Sequence, residues 1–234
     1  MAAVTRSNHR VYRALVVLAL MVNVAGRAFG RSDDATTHQP FDDVEYWRKV
    51  FDDPARDQWQ KPHELVKALG VRPGMVVADL GAGTGYLSHH LAGAVGADGT
   101  VLVVETEPNL VVHLRKRAEE ERTPNVVPIL ASADNPRLPA RGVDLVIVLD
   151  TYHHVDDRIA YFRALHRALR QDGRVAVVDW HKRELPVGPP PDHKLAREQV
   201  VEEMRAAGWS LAQELDLLPY QYVLVFRWRQ GPVR

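Results

Sequence analysis

The 234-residue sequence contains no cysteine. That removes disulfides, thiolate metal sites, iron–sulfur clusters and a nucleophilic thiol in one step, and leaves the redox compartment open. It also lacks a charge imbalance: thirty Lys and Arg residues meet thirty Asp and Glu residues, for a formal net charge of zero. No nucleic acid or anionic membrane is therefore called for as a partner, and a small molecule chosen by a pocket is expected instead. An apolar run of spanning length is missing too. Arg6, His9, Arg10 and Arg13 precede the apolar stretch Ala14 to Ala25, and Ala28-Phe29-Gly30 follows it. The stretch is shorter than the roughly 20 residues of a membrane-crossing helix. Its charged, apolar, small-x-small order predicts a secretory signal peptide over residues 1–30, cleaved near Gly30. The expectation is export to the periplasm or beyond with no stable membrane span after cleavage. An uncleaved anchor, or a cytoplasmic protein with a mis-assigned start codon, is the alternative.

With 46% apolar and 26% charged residues, the rest has an ordinary globular composition, and its length suits one core. Residues 31–40 are polar and unpatterned, which predicts a flexible tail. Val44, Trp47, Val50 and Phe51 recur at helical spacing until Asp52-Asp53-Pro54, and a second helix is expected from His63 to Leu69, closed by Gly70. After the Arg72-Pro73-Gly74 turn, strands and helices alternate. Strands are expected over 75–80, 100–104, 126–130, 143–149 and 174–178, with helices over 86–95, 108–122 and 159–169 between them. Asp172-Gly173 reads as a turn into the fifth strand. A proline-rich loop, Pro186 to Pro191, a helix over 195–207 and two strands over 211–218 and 222–228 complete the pattern. This is α/β: one doubly wound domain over 41–234, with a mostly parallel seven-stranded sheet (71–230) behind a helical lid (41–70).

The most informative stretch is Val76-Val77-Ala78-Asp79-Leu80-Gly81-Ala82-Gly83-Thr84-Gly85, a buried strand opening into alternating glycines. Such a loop brings bare backbone and a helix start against a polar ligand. The spacing is GxGxG, and Tyr86 stands where the dinucleotide fingerprint has its third glycine. Asp79-x-Gly81-x-Gly83-x-Gly85 resembles the first motif of class I S-adenosylmethionine-dependent methyltransferases, and Leu169-Arg170-Gln171-Asp172-Gly173 is similar to a turn of the ubiquinone-biosynthesis and small-molecule members. The resemblance covers roughly residues 58–227. It implies S-adenosylmethionine as cofactor, held by Asp79, Gly81, Ala82, Gly83, Gly85, Glu105, Asp134 and Asp150. Glu105 would take the ribose hydroxyls and Asp134 the adenine amino group.

Methyl transfer is an in-line displacement that asks the protein for positioning and electrostatics rather than a covalent nucleophile. An amine or hydroxyl acceptor must also lose a proton, and a histidine suits that task at neutral pH. The fourth strand closes in Asp150-Thr151-Tyr152-His153-His154 and the fifth in Asp179-Trp180-His181. His153 or His154, with Asp150, is the expected catalytic set. Tyr152, Asp179 and His181, with Trp59 and Gln60 of the lid, would surround the acceptor. Asp150 and Asp179 together could alternatively hold a divalent cation, although Trp180 stands where the magnesium-dependent catechol-type relatives have an amide. Two other readings stay open: a small-molecule or nucleotide binder without catalysis on the same fold, and a nicotinamide-dependent oxidoreductase, which the missing third glycine disfavours.

Overall fold

The computed structural model describes residues 43–229, and these fall in one compact unit. The expected signal peptide over 1–30 and the tail over 31–40 lie outside the described residues. No helix among those described is long and apolar enough to cross a membrane.

Seven strands form one sheet: β1 (Val76–Leu80), β2 (Thr100–Glu105), β3 (Val126–Leu130), β4 (Val143–Leu149), β5 (Leu169–Trp180), β6 (Trp209–Leu215) and β7 (Gln221–Trp228), in the order β3-β2-β1-β4-β5-β7-β6. The five strands from β3 to β5 are parallel, and β7 inserts antiparallel between β5 and β6. The sheet is thus mostly parallel and doubly wound, as expected. Strand order reverses at the β1/β4 pair, and the crevice beyond the carboxyl ends there is where such sheets take ligands. Central β4 is sealed on both faces, with Val143, Leu145, Val146, Ile147 and Val148 fully buried. A continuous aliphatic run with no polar alternation does this.

The helices are α1 (Val44–Phe51), α2 (Asp57–Gln60), α3 (Pro62–Ala68), α4 (Tyr86–Val95), α5 (Pro108–Glu120), α6 (Arg158–Leu165) and α7 (Arg197–Ala207). On one face of the sheet Phe162 and Leu165 of α6 and Val200 and Met204 of α7 pack against Val146, Val148, Val175 and Val177. On the other, Leu65 of α3, Leu87 and Leu91 of α4 and Leu114 of α5 pack against Val77, Val103 and Ile147.

Three boundaries differ from the sequence reading. Leu169 is not the last turn of a helix but the first residue of β5, paired with Val143; the register then jumps to Leu145↔Arg174. Asp172-Gly173 is therefore an irregularity inside a strand. Gly173 is there because a Cβ would come within 2.8 Å of the Leu169 side chain. β6 starts at Trp209 rather than Leu211, because the indole is fully buried and its N–H donates to the Phe162 carbonyl at 2.9 Å. Finally, the lead-in between the first two lid helices is itself helical. Asp53 caps a 3-10 turn over Pro54–Arg56, and α2 follows until Lys61 takes a left-handed backbone, φ 45°.

Candidate functional site

The glycine loop joins β1 to α4, and its three glycines have different reasons to be glycine. A Cβ on Gly81 would lie 2.3 Å from Cγ2 of Thr151, whose hydroxyl donates to the Gly81 carbonyl at 3.2 Å. A Cβ on Gly85 would lie 2.7 Å from Leu114. Those two are required by the protein's own packing. Gly83, at φ 57°, has only the Phe51 ring near its open side, 3.5 Å from where a Cβ would be. Its amide donates to Glu105 at 2.8 Å. Ala82, half-buried between them, hydrogen-bonds through its amide to the Val104 carbonyl.

Glu105 ends β2 beside that loop. One carboxylate oxygen takes the Gly83 amide and the other takes the Thr106 amide at 2.6 Å. Burial raises its pKa and the backbone amides oppose the rise. Asp79 lies beneath the loop, buried, with Ser88 of α4 donating to it at 2.6 Å. Burial lifts its pKa to about 6 against that hydrogen bond. Asp79 therefore fastens β1 to the helix that follows the loop. Asp134, after β3, is exposed and accepts from the Ser132 hydroxyl at 2.7 Å.

The segment from α1 to α2 lies across the loop as a strap with four polar fastenings. Asp52 accepts from Thr84 and from Arg117, both at 2.8 Å. Asp57 accepts from the Tyr86 hydroxyl at 2.6 Å. Arg56 donates to Asp150 at 3.1 Å, with its guanidinium 4.2 Å from the Tyr86 ring centre and 5.6 Å from that of Trp59. Gln60, fully buried, donates to Gln221 at 2.6 Å, and Gln221 in turn donates to Asp150. Asp150 itself has a left-handed backbone, φ 53°, a conformation that a non-glycine residue holds only when its surroundings enforce it. Burial lifts its carboxyl to about 7 despite the Arg56 charge. Trp59 stacks obliquely on Trp180 at 5.3 Å and approaches Tyr220 at 6.0 Å. Gly188 of the proline-rich loop abuts Trp180, where a Cβ would be 2.8 Å away. Trp180 thus connects the helical lid to the proline-rich loop.

Past β4, the chain makes a 3-10 turn over Tyr152–His154. His153 is buried against Asp179, its Nδ1 2.9 Å from both carboxylate oxygens. Burial, the largest single effect, pulls the imidazole pKa down, but the charge and hydrogen bond of Asp179 together with the Asp150 charge outweigh it and the net direction is up. His154 is exposed, with its ring 4.1 Å from that of His153. Tyr152 sits in the core instead of on an acceptor rim: fully buried, stacked on Phe162, its hydroxyl donating to Glu203 at 3.0 Å. His181 is half-buried beside Tyr222 in a cavity of about 370 Å³ that Lys182, Arg183 and Arg197 also line. The two acids do end neighbouring strands, but each already has partners. No group of three or more His, Cys, Asp or Glu among the described residues is placed to hold a metal.

Arg56, Asp57 and Gln221 were not singled out from sequence, and Asp52 and Tyr86 were read only as a helix end and as the residue in place of a third glycine. Arg56-Asp57, a charged pair set between Phe51 and Trp59, was the available signal for the strap. Gln221, 161 residues from its partner Gln60, gave none.

This geometry can be set beside known proteins. Residues 77–173 match the family model described as "Methyltransferase domain". The ubiquinone/menaquinone biosynthesis C-methyltransferase UbiE of Shewanella sp. (strain ANA-3) is 28% identical over 134 residues, 57% of this chain and 50% of the relative. That of Shewanella putrefaciens is 27% identical over 141 residues, 60% of this chain and 52% of the relative. The chain thus spans about half the length of the curated relatives it matches. A SAM-dependent methyltransferase from Aquifex aeolicus superposes with a TM-score of 0.75 at 24% identity, covering 79% of this chain and 97% of that one. The [4+2]-cyclase SpnF superposes at 0.63 with 16% identity, over 74% and 81%. At such identities the structural likeness speaks for the fold. The resemblance read in the glycine loop to class I S-adenosylmethionine-dependent methyltransferases agrees with the family model matched over residues 77–173.

Proposed function

We propose that the protein binds S-adenosylmethionine and transfers its methyl group to a small-molecule acceptor by in-line displacement. The observation that carries this is Gly83 set against Glu105. It is the one loop glycine whose bare face its own strands and helices do not need, and its amide is tied to a buried acid at the end of the next strand. The donor set fits the cofactor. Glu105 would take the ribose hydroxyls, the Gly81–Gly85 backbone would face the methionine portion, and Asp134 would face the adenine. When bound, the cofactor supplies an electrophilic methyl on a sulfonium.

The chain's own part is to place the acceptor and manage its proton. Arg56, Gln60 and Gln221 hold Asp150 at the mouth of the crevice. Trp59 and Trp180 wall it off from water under the proline-rich loop. His153, kept in one orientation by Asp179 through Nδ1, is the better base of the two histidines, because Asp179 stabilises the imidazolium that forms when the acceptor gives up its proton. Calorimetric titration of the purified protein with S-adenosylmethionine tests the cofactor assignment; absence of binding would overturn it.

SpnF, named as a cyclase, shows that this fold also serves other chemistry. A protein that binds the cofactor without passing on its methyl is the second reading. Single-turnover assays with radiolabelled methyl and pooled small-molecule acceptors separate the two. We also infer export with removal of residues 1–30, from the charged, apolar, small-x-small order alone. N-terminal sequencing of the mature protein tests it, and an intact Met1 in the cytosolic fraction would refute it.

A further inference from the structure

We propose that the methyl acceptor carries an anionic group, a carboxylate or a phosphate, and that the basic stems of the proline-rich loop hold this group in the cavity beside His181, with Lys182 and Arg183 as its charged partners. This rests on the methyl-transfer reading above and gives its acceptor a chemical class and a second point of attachment.

The first argument is one of charge placement. His181, Lys182 and Arg183 line the cavity from the stem that enters the loop, Ala196, Arg197 and Glu198 from the stem that leaves it, and Tyr222 from β7. Lys194 ties the stems together: its side chain has no exposure, and its Nζ donates to the Arg183 carbonyl at 2.8 Å. Four cations converge at the base of the loop, and the nearby acids serve them unequally. Arg197 donates to Glu214 through Nε at 2.8 Å and through Nη2, and Glu198 lies 3.6 Å from it. Its charge is taken up. Lys182, Arg183 and Lys194 make no ion pair with any described carboxylate. The Lys194 pKa is lowered, by burial first and also by the Arg183 charge, with Glu184 opposing. That of His181 is lowered by burial and then by Arg183 and is opposed by Asp216 and Glu214, so at neutral pH it offers an uncharged ring with one N–H. Cations gathered without counter-ions favour the entry of an anion.

The second argument is the distance from this cavity to the proposed base. Tyr222 is the cross-strand partner of Asp179, and side chains directly opposite in an antiparallel pair stand about 5 Å apart. The ladder runs on beyond β5, the His181 amide donating to the Tyr220 carbonyl at 3.0 Å. His181 therefore lies two residues past Asp179 on the same face, about 7 Å further along. Asp179 in turn holds His153 at 2.9 Å. An acceptor atom at His153 and an anionic group between Lys182 and Arg183 are then separated by about the length of one substituted aromatic ring, and a cavity of about 370 Å³ has room for the charged end. The Arg183 guanidinium presents parallel N–H groups to a carboxylate or phosphate, and Lys182 adds a point charge. A neutral acceptor would leave both unpaired, which makes the cavity a device for selecting acids.

The test is a titration of the purified protein with benzoate, phenyl phosphate and the neutral benzamide, followed by NMR. At least one anion should bind about tenfold more tightly than benzamide, the effect of a charge-assisted hydrogen bond at a partly exposed site. The tighter of the two anions identifies the group. Binding should shift the ring resonances of both His181 and His153, assigned with His181→Gln and His153→Gln. In the double variant Lys182→Gln, Arg183→Gln, two exposed positions, the anions should bind within about twofold of benzamide, while affinity for S-adenosylhomocysteine stays at the parent value. Raising salt from about 50 to about 500 mM should weaken the anions and spare benzamide, a check that needs no variant. Anions bound no more tightly than benzamide by the parent would overturn the proposal, and so would a preference that survives the double variant. An anion that shifts His181 and leaves His153 unmoved would place the site apart from methyl transfer and refute the acceptor claim. A parent that prefers the anions but does not bind S-adenosylhomocysteine keeps the anion site and overturns the cofactor assignment alone.

Discussion

Asp150 follows β4 and Asp179 lies in the adjacent β5, and they make unlike partnerships. Asp150 is reached by a guanidinium from the strap and an amide from β7. Asp179 has no exposure and holds the buried His153. The first acid keeps some exposure between two separate elements; the second is part of the frame. Two carboxylates at equivalent ends of a parallel sheet are thus held in unlike ways. Their surroundings make the difference, since both are the same residue type.

The sharpest way to break that contrast is to neutralise each acid. Asp179→Asn leaves an imidazole buried without its counter-charge and should cost about 3–5 kcal/mol in urea unfolding, whereas Asp150→Asn should cost less than about 1 kcal/mol. Equal costs would erase the distinction. The pH dependence sharpens it. His153 has a raised pKa, so its stabilisation is complete below the ordinary value of 6.5 and disappears as pH rises through the raised one. Asp150 is raised to about 7, so its contribution is complete below 3.8 and is lost between there and about 7. Asp179→Asn should therefore remove the upper part of the stability–pH curve and Asp150→Asn the lower part.

On the recognition side, Gly83→Val forces a β-branched side chain into the left-handed region opposite Phe51. It should weaken S-adenosylhomocysteine binding by a factor on the order of 100, about 2.7 kcal/mol. Glu105→Ala should cost about tenfold through the lost ribose contacts. If both folded variants bind like the parent, the ligand lies elsewhere. The smallest effect is expected from chelator: methyl transfer should be unchanged in EDTA, because Asp150 and Asp179 already have partners. Loss of activity restored by magnesium would instead unite the two acids around a cation.

The frame of this comparison was legible in the sequence because local chemistry fixes it. The aliphatic run of β4, the glycine loop and the acids closing β2, β4 and β5 each announce themselves within a few residues. The aliphatic run placed β4, and the stretch after the glycine loop placed α4, at the residues observed. The sequence was silent where tertiary contacts decide. Leu169 joined a strand because Val143 was there to pair with it. Tyr152 read as a rim residue next to two histidines, yet packing against Phe162 turned it into the core. Gly81 looked like a ligand-facing glycine, while the structure needs it for Thr151. Arg56 and Gln221 were overlooked because each acquires its importance from a partner far away along the chain.

That distance matters while the chain is being made. Gln60 and Gln221 are 161 residues apart, and β7, which carries Gln221, slots between β5 and the already synthesised β6. At the usual pace of translation, about 5–20 residues per second, the strap waits on the order of ten to thirty seconds for its seat. During that interval the glycine loop, Glu105 and Arg56 have all been made while the strand that braces Asp150 has not. A nascent chain therefore has no completed crevice to offer a ligand, and the finished site becomes a report that the sheet has closed in the right order.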